Sequence, residues 1–268
     1  MLILCYGITK SGSTLAFELV KGALASAGHP QVRLPDGTVE PGHNVNFIAR
    51  KLGRNRLETL LDQIGTERRI AVKTHADFLL PLFPWIEEMQ ARREVQIVAS
   101  YRDPRDICVS LMDAGKLARK DGRKAFSLIQ SLSDAAESVQ RQIAKFRNWG
   151  SVHGALRLSY ELVAFSPDKA LDAIEHLLDV RCDRAAAKKH AFEDAFTQKN
   201  LGGIDRFKTE LSAEEQRQLT EKFEAFIRQV CEEQREVWFT EHRNQVLEKL
   251  ARHSLMGSQT TLRRRAPA

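Results

Sequence analysis

The first fifteen residues constrain the fold more than any other stretch. Leu2-Ile3-Leu4-Cys5-Tyr6 is an apolar run that stops at Gly7 and opens into Ile8-Thr9-Lys10-Ser11-Gly12-Ser13-Thr14-Leu15. A short apolar run bounded by glycine suits a strand covered on both faces, as in a parallel sheet. Ser11, Gly12, Ser13 and Thr14 then bring small side chains, hydroxyls and backbone N–H groups to the first turn of a helix, an arrangement that binds anions, and Lys10 adds a positive charge beside it. From Thr14 to about Ala27, Leu15, Leu19, Val20, Ala23 and Leu24 recur at helical spacing, ended by Gly28 and Pro30.

Gly7, Gly12 and Thr14 hold the places of a Walker A loop, G-x-x-x-x-G-K-[ST], but Ser13 stands where that loop has its lysine and Lys10 lies three residues earlier. A nucleotide γ-phosphate would lack its usual counter-charge, whereas a phosphate or sulfate nearer the strand end gains one.

Arg69 to Lys73 reads as a second strand, ending in Lys73-Thr74-His75. Ligands of open parallel sheets collect at the carboxyl ends of strands, which places His75 on the same crevice as Lys10. Histidine is well matched to taking a proton from an alcohol near neutral pH, although a lone histidine at a strand end is commonly a structural hydrogen-bonder. Val95 to Tyr101 reads as a third strand, followed by Arg102-Asp103-Pro104-Arg105-Asp106 and, on the second turn of the helix that Pro104 opens, Ser110. An arginine fork and a hydroxyl so placed grip one phosphate from two sides. Ala155 to Leu162 reads as a fourth strand containing Tyr160.

Between these strands, 29–46 reads as a long surface loop bordering the second substrate, 47–64 contains a helix pattern, and 77–93, 111–149, 167–178 and 184–195 read as helical, with a charged break at 119–124. Ser212-Ala213-Glu214-Glu215 is a capping box for a last helix whose core stripe is Leu219, Phe223, Phe226, Ile227 and Val230. With 268 residues and 43% apolar composition, the chain is expected to form one large domain over 1–253, with a disordered basic tail over 254–268.

The charge excess of +6 is modest and lies partly in Arg263-Arg264-Arg265, so nucleic acid is not implied; a pocket for a small polyanion would draw on it. Cys5, Cys108, Cys182 and Cys231 are dispersed without metal-ligand spacing, and reduced cytoplasmic thiols are expected. Neither a signal peptide nor a membrane span is expected.

Thr9-Lys10-Ser11-Gly12-Ser13-Thr14 resembles the lysine-serine-glycine-threonine-threonine loop of the sulfotransferases that use 3′-phosphoadenosine 5′-phosphosulfate. Lys73-Thr74-His75 with the Leu-Leu-Pro that follows resembles the segment carrying the catalytic histidine of the cytosolic members. Arg102, with the proline turn, an aspartate and Ser110 eight residues on, resembles their 3′-phosphate motif. Tyr160-Glu161-Leu162 resembles a Tyr-Glu-Asp-Leu segment near the adenine, with the aspartate missing. More loosely, the segment from Lys199 through Gly202 and Gly203 to Lys208 is similar to a late segment over the 3′-phosphate, for which Arg206 is an alternative.

The resemblance covers 1–212 and implies a three-layer α/β/α domain with a mainly parallel sheet, of the P-loop nucleoside triphosphate hydrolase-like kind. The implied reaction is sulfuryl transfer from 3′-phosphoadenosine 5′-phosphosulfate to a hydroxyl or amine acceptor, leaving adenosine 3′,5′-bisphosphate, with no metal required. His75 would be the base, and Lys73 and Lys10 would stabilise charge on the transferring group and the leaving phosphate. Ser11, Gly12, Ser13, Thr14, Arg102, Ser110, Tyr160, Phe192, Lys199, Gly202 and Gly203 would bind the donor, Phe192 against the adenine. Golgi-type members use a glutamate as base, which makes Glu40 and Glu18 rivals of His75. The acceptor, a small molecule or a glycan or lipid hydroxyl, is not specified by these motifs, and a homo-oligomer is compatible with the sequence. A small-molecule or nucleoside kinase on the same fold is the alternative enzyme, opposed by Ser13, and a nucleotide-binding protein without catalysis is the alternative outside enzymes.

Overall fold

The computed structural model describes residues 1–41, 43, 45–49, 52–78, 80–195 and 203–235. Lys199, Gly202 and the tail over 254–268 lie outside the described residues. The chain divides at residues 200 and 201 into two units.

The first unit is a five-stranded parallel sheet in the order β2-β3-β1-β4-β5, formed by β1 (Leu2–Gly7), β2 (Phe47–Ile48), β3 (Ile70–Thr74), β4 (Val95–Tyr101) and β5 (Leu156–Ser159). Its helices are α1 (Ser13–Ser26), α2 (Arg54–Ile64), α3 (Phe83–Ala91), α4 (Pro104–Lys120), α5 (Leu132–Gly150), α6 (Tyr160–Phe165), α7 (Pro167–Leu178) and α8 (Arg184–Lys189), the last continuing into a π-helical turn, His190–Asp194. The expected three-layer α/β/α architecture with a parallel sheet is the one observed.

Strand side chains alternate between the two faces, and the alternation sets the layers. Ile3 and Cys5 of β1, Ala71 of β3, Val98 of β4 and Leu158 of β5 share one face, where they pack with Leu19, Val20, Ala23 and Leu24 of α1 and with Leu171, Ile174 and Leu178 of α7. Helix α1 also packs against α8, so it is covered on two sides, and this accounts for its unusually apolar sequence. On the opposite face Tyr6 stacks on the fully buried Trp149 of α5, with ring centroids 5.5 Å apart, and Phe78 meets Trp149 edge-on at 4.9 Å.

The helix pattern within 47–64 is realised as α2 from Arg54, and before it Phe47 and Ile48 pair with Lys73 and Thr74 as an edge strand. Two expectations are corrected. The expected helix over 77–93 is a 3-10 turn at Leu80–Leu82 followed by α3, whose start carries a proline. The fourth strand stops at Ser159, whose hydroxyl accepts from the Leu162 N–H at 3.1 Å and caps α6, so Tyr160 opens a helix.

In the second unit, α9 (Arg206–Glu210) precedes α10 (Ala213–Arg235). The expected capping box is present: the Ser212 hydroxyl accepts from the Glu215 N–H at 3.3 Å while the Glu215 carboxylate accepts from the Ser212 N–H at 2.8 Å. Leu219, Phe223 and Phe226 form a buried stripe on α10. Among the described residues no helix is long and apolar enough to cross a membrane.

Candidate functional site

The strand order reverses direction between β1 and β4, and the carboxyl ends of the strands at this point form the crevice where doubly wound sheets hold ligands. Register decides which side chains reach it. Cys5 is level with Lys73, Gly7 with Ser100, and Ser100 with Leu158. The next residues out of these strands are His75 just after β3 and Arg102 just after β4, and Tyr160 at the head of α6 lies against Gly12 and Arg102.

After β1 the chain makes a tight loop. The Ser11 N–H donates to the Ile8 carbonyl at 3.0 Å, and Lys10 and Gly12 take left-handed conformations, φ 70° and 77°. Left-handed φ at Gly12 is cheap for glycine alone, and a side chain there would also strike Tyr160, whose ring carbon lies 2.5 Å from where a Cβ would sit. Among the described residues no side chain caps α1, and a helix start of this kind is one that can bind an anion. Gly7 is equally constrained, because a Cβ there would lie 2.2 Å from the Ser13 Cβ and 2.4 Å from the Ser100 hydroxyl. Gly7→Ala should therefore destabilise the protein by about 1–3 kcal/mol in chemical denaturation, the range for overpacking a close contact. A variant as stable as the parent would mean that the loop is looser than this geometry.

Lys73, at the end of β3, is buried and donates to the Thr14 hydroxyl at 2.6 Å. Burial lowers its pKa to about 8, with the Glu18 charge working the other way, so the ammonium remains the main form at neutral pH. The cation missing from the Walker position thus reaches the first turn of α1 from a different strand. In a Walker loop the hydroxyl at this place holds Mg²⁺, whereas here it accepts from an ammonium.

His75 is half-buried, and its Nδ1 lies 2.6 Å from the Gly7 carbonyl oxygen. A carbonyl only accepts, so Nδ1 carries the proton and the lone pair is on Nε2. Burial first, then the Lys73 charge, hold the imidazole pKa down at about 4, and His75 is neutral at physiological pH. Of the rival carboxylates, Glu18 is 3% exposed and accepts from His190 and Lys21, each at 2.9 Å, which holds its pKa down despite burial. Glu40 lies 3.6 Å from Arg56 and accepts from the Ala49 N–H at 3.4 Å.

Arg102 leaves β4 with its side chain buried and donates to Asp106 at 2.8 Å, and its guanidinium carbon lies 4.4 Å from the centre of the Tyr160 ring. Asp103 caps α4, accepting from the Arg105 N–H at 2.8 Å, and Pro104 fills the first helical position. Arg102, Asp106 and the buried Ser110 then follow one another at intervals of four, along one face. Glu161, at the head of α6, is raised to about 7 by burial, against the lowering effect of Arg102, and so repels an incoming anion less than an ordinary glutamate would.

The structure thus brings Lys10, Ser11, Gly12, Ser13, Thr14, Lys73, His75, Arg102 and Tyr160 to the carboxyl edge of one sheet. Phe192 packs, half-buried with Leu15, against the core beside α1. In the second unit Gly203 precedes α9, and Arg206 donates to both carboxylate oxygens of Glu210, at 2.6 and 2.8 Å. Sequence reasoning missed the part played by α5. Gln142 on that helix accepts from the Thr9 N–H at 2.6 Å through its side chain and from the Tyr6 hydroxyl at 3.0 Å through its carbonyl, bracing the loop from behind.

No family model matches the chain, and no curated protein matches it. Among solved structures, the chain is similar to retinol dehydratase in complex with androsterone and inactive cofactor PAP, at 16% identity over 84% of this chain and 80% of that one, with a TM-score of 0.48. It is similar to retinol dehydratase in a complex with retinol and PAP at 15% identity, over 84% and 81% of the two chains, with a TM-score of 0.46. A sulfotransferase from Alicyclobacillus acidocaldarius is similar at 16% identity over 84% of this chain and 94% of that chain, with a TM-score of 0.36.

Proposed function

We propose that this chain is a sulfotransferase that moves a sulfuryl group from 3′-phosphoadenosine 5′-phosphosulfate to a hydroxyl acceptor. The observation that carries this reading is the bond between His75 Nδ1 and the Gly7 carbonyl, which joins a neutral base at the end of β3 to the phosphate loop after β1. The donor contributes an activated sulfuryl group on its 5′-phosphate. Its residues fit that donor: an uncapped helix start and Lys10 for the 5′-phosphosulfate, and Arg102 and Ser110 for the 3′-phosphate, with Tyr160 beside the guanidinium.

His75 Nε2 takes the acceptor proton, and the Gly7 carbonyl stabilises the imidazolium that results by keeping its bond to Nδ1. Lys73, Lys10 and the N–H groups at the start of α1 face the charge that collects on the leaving oxygen. Lys73 on the Thr14 hydroxyl occupies the place of the metal in a Walker loop, which supports metal-free transfer and disfavours the kinase alternative. The free thiols of Cys5 and Cys182 fit a reducing cytoplasmic compartment as part of the same reading.

Release of adenosine 3′,5′-bisphosphate from the donor in EDTA, dependent on an added alcohol or phenol, tests the reading. Release that requires Mg²⁺, or turnover of ATP instead, would overturn it. The pH dependence is specific. Below about 4 the imidazole is protonated and cannot act as base, and above about 8 Lys73 loses its charge, so kcat/KM should form a plateau between these limits. Lys73→Arg should remove the alkaline limb, since guanidinium stays charged there. An alkaline limb unchanged in that variant would assign it to another group.

A further inference from the structure

The sheet has a second, amino edge with chemistry of its own. Gln96 is the second residue of β4, level with Ile3 of β1 and six residues before Arg102, which puts it about 20 Å from the carboxyl edge at the usual rise of a strand. The first residue of β5, Leu156, pairs with Val98, so along Val95 to Ile97 no strand among the described residues lies on the outer side of β4. Here the structure has a cavity of about 660 Å³, within the usual range of small-molecule sites. The end of α3, the turn at His153 and Gly154 and the end of α7 wall it, with Gln96 between them.

Two amides at this cavity have no partner in the protein. Gln96 is 7% exposed, and among the described residues nothing bonds its side chain. Gln90 Nε2 and Oε1 are both buried and both unbonded. Nε2 lies 3.8 Å from where a Cβ at Gly154 would sit, beneath a turn that Gly154 closes with a left-handed φ of 77°. A buried amide without hydrogen bonds is costly, and turning the Gln90 side chain into the cavity breaks none.

The lining selects what could satisfy them. Among the described residues no lysine or arginine faces the cavity and one carboxylate, Glu87, does, which disfavours phosphates, sulfates and other anions. The aliphatic surface is limited to Ala91 and Leu177, too little for a lipid or a steroid. Each amide offers a donor and an acceptor side by side, and a neutral imidazole, as at His153 and His176 on the rim, carries one of each. A hydroxyl donates and accepts at once, and two neighbouring hydroxyls meet an amide at both of its polar atoms.

We propose that the amino edge of the sheet holds a second binding site, for a neutral sugar whose hydroxyls bond Gln90 and Gln96. The site is separate from the phosphate loop and does not depend on the sulfotransferase reading.

The test titrates maltose, lactose and cellobiose into the full chain, followed by calorimetry and ligand-observed NMR. At least one should bind. Gln90→Met and Gln96→Met should each weaken that sugar by about tenfold, the equivalent of about 1.4 kcal/mol, while His75→Ala should leave it unchanged. Methionine keeps the shape of glutamine without the unpaired amide, so both variants should melt at or above the wild-type temperature. No binding of any of the three sugars, binding unchanged in both methionine variants, or binding lost in His75→Ala would overturn the proposal. A lower melting temperature in both methionine variants would overturn it too, by showing the amides to be structural. Failure of the wild type to bind adenosine 3′,5′-bisphosphate counts against the sulfotransferase reading alone.

Discussion

Arg102→Ala should weaken the binding of adenosine 3′,5′-bisphosphate by about 30- to 3,000-fold, the equivalent of the ~2–5 kcal/mol lost when one member of a buried charge pair is truncated. Arg102 is 5% exposed, is held by Asp106 in the first turn of α4, and lies against the Tyr160 ring, so its fork is fixed before a ligand arrives. The substitution also removes the Arg102 bond from the Asp106 carboxylate, which is 1% exposed, and some loss of folding stability should accompany the loss of affinity. Two further variants separate these effects. Arg102→Lys keeps the charge without the bidentate fork and should bind at an intermediate level, while Asp106→Asn keeps a hydrogen-bonding partner for Arg102 and should bind nearly as the parent does. An Arg102→Ala protein that is folded and binds the bisphosphate normally would remove the 3′-phosphate assignment.

His75→Ala should lower turnover by about 10²- to 10⁴-fold, the usual contribution of a general base, and leave bisphosphate affinity nearly unchanged. The direction follows from the tautomer: with Nδ1 committed to the Gly7 carbonyl, Nε2 is the ring atom left to accept a proton. A pKa of about 4 in the free protein makes His75 a weak base, and an anionic donor bound beside it raises that value by offsetting Lys73 and Lys145. Full turnover in His75→Ala would transfer the role to another group. Glu40→Gln would then be the informative variant, because Glu18 is committed to His190 and Lys21.

The tight loop after β1, the strand ends and the spacing from Arg102 to Ser110 were legible because each is local, written within about ten residues by glycine, proline and hydroxyl chemistry. The edge strand at Phe47–Ile48 was not. Two residues show no periodicity, and their position depends on Asn46, which bonds Val32 and Leu34 through its side chain and Lys73 through its carbonyl. Tyr160 was misplaced in a strand because the apolar run does not stop there; the stop is the Ser159 cap, a signal as readable as that of Ser212. The partners that complete the site are far apart in the chain. Lys73 and Thr14 are 59 residues apart, and Thr9 and Gln142 are 133 apart. No spacing rule reaches that far, and the pairing exists only once β1, β3 and α5 are stacked.

Calorimetric titration of the wild type with adenosine 3′,5′-bisphosphate in EDTA, beside the same titration with ATP, tests the central claim most directly. Tight, metal-independent binding of the bisphosphate and weak binding of ATP are expected if, as proposed, Arg102 and Ser110 read a 3′-phosphate, since Lys73 stands where a Walker loop would hold its metal. Preference for ATP, restored by Mg²⁺, would contradict it.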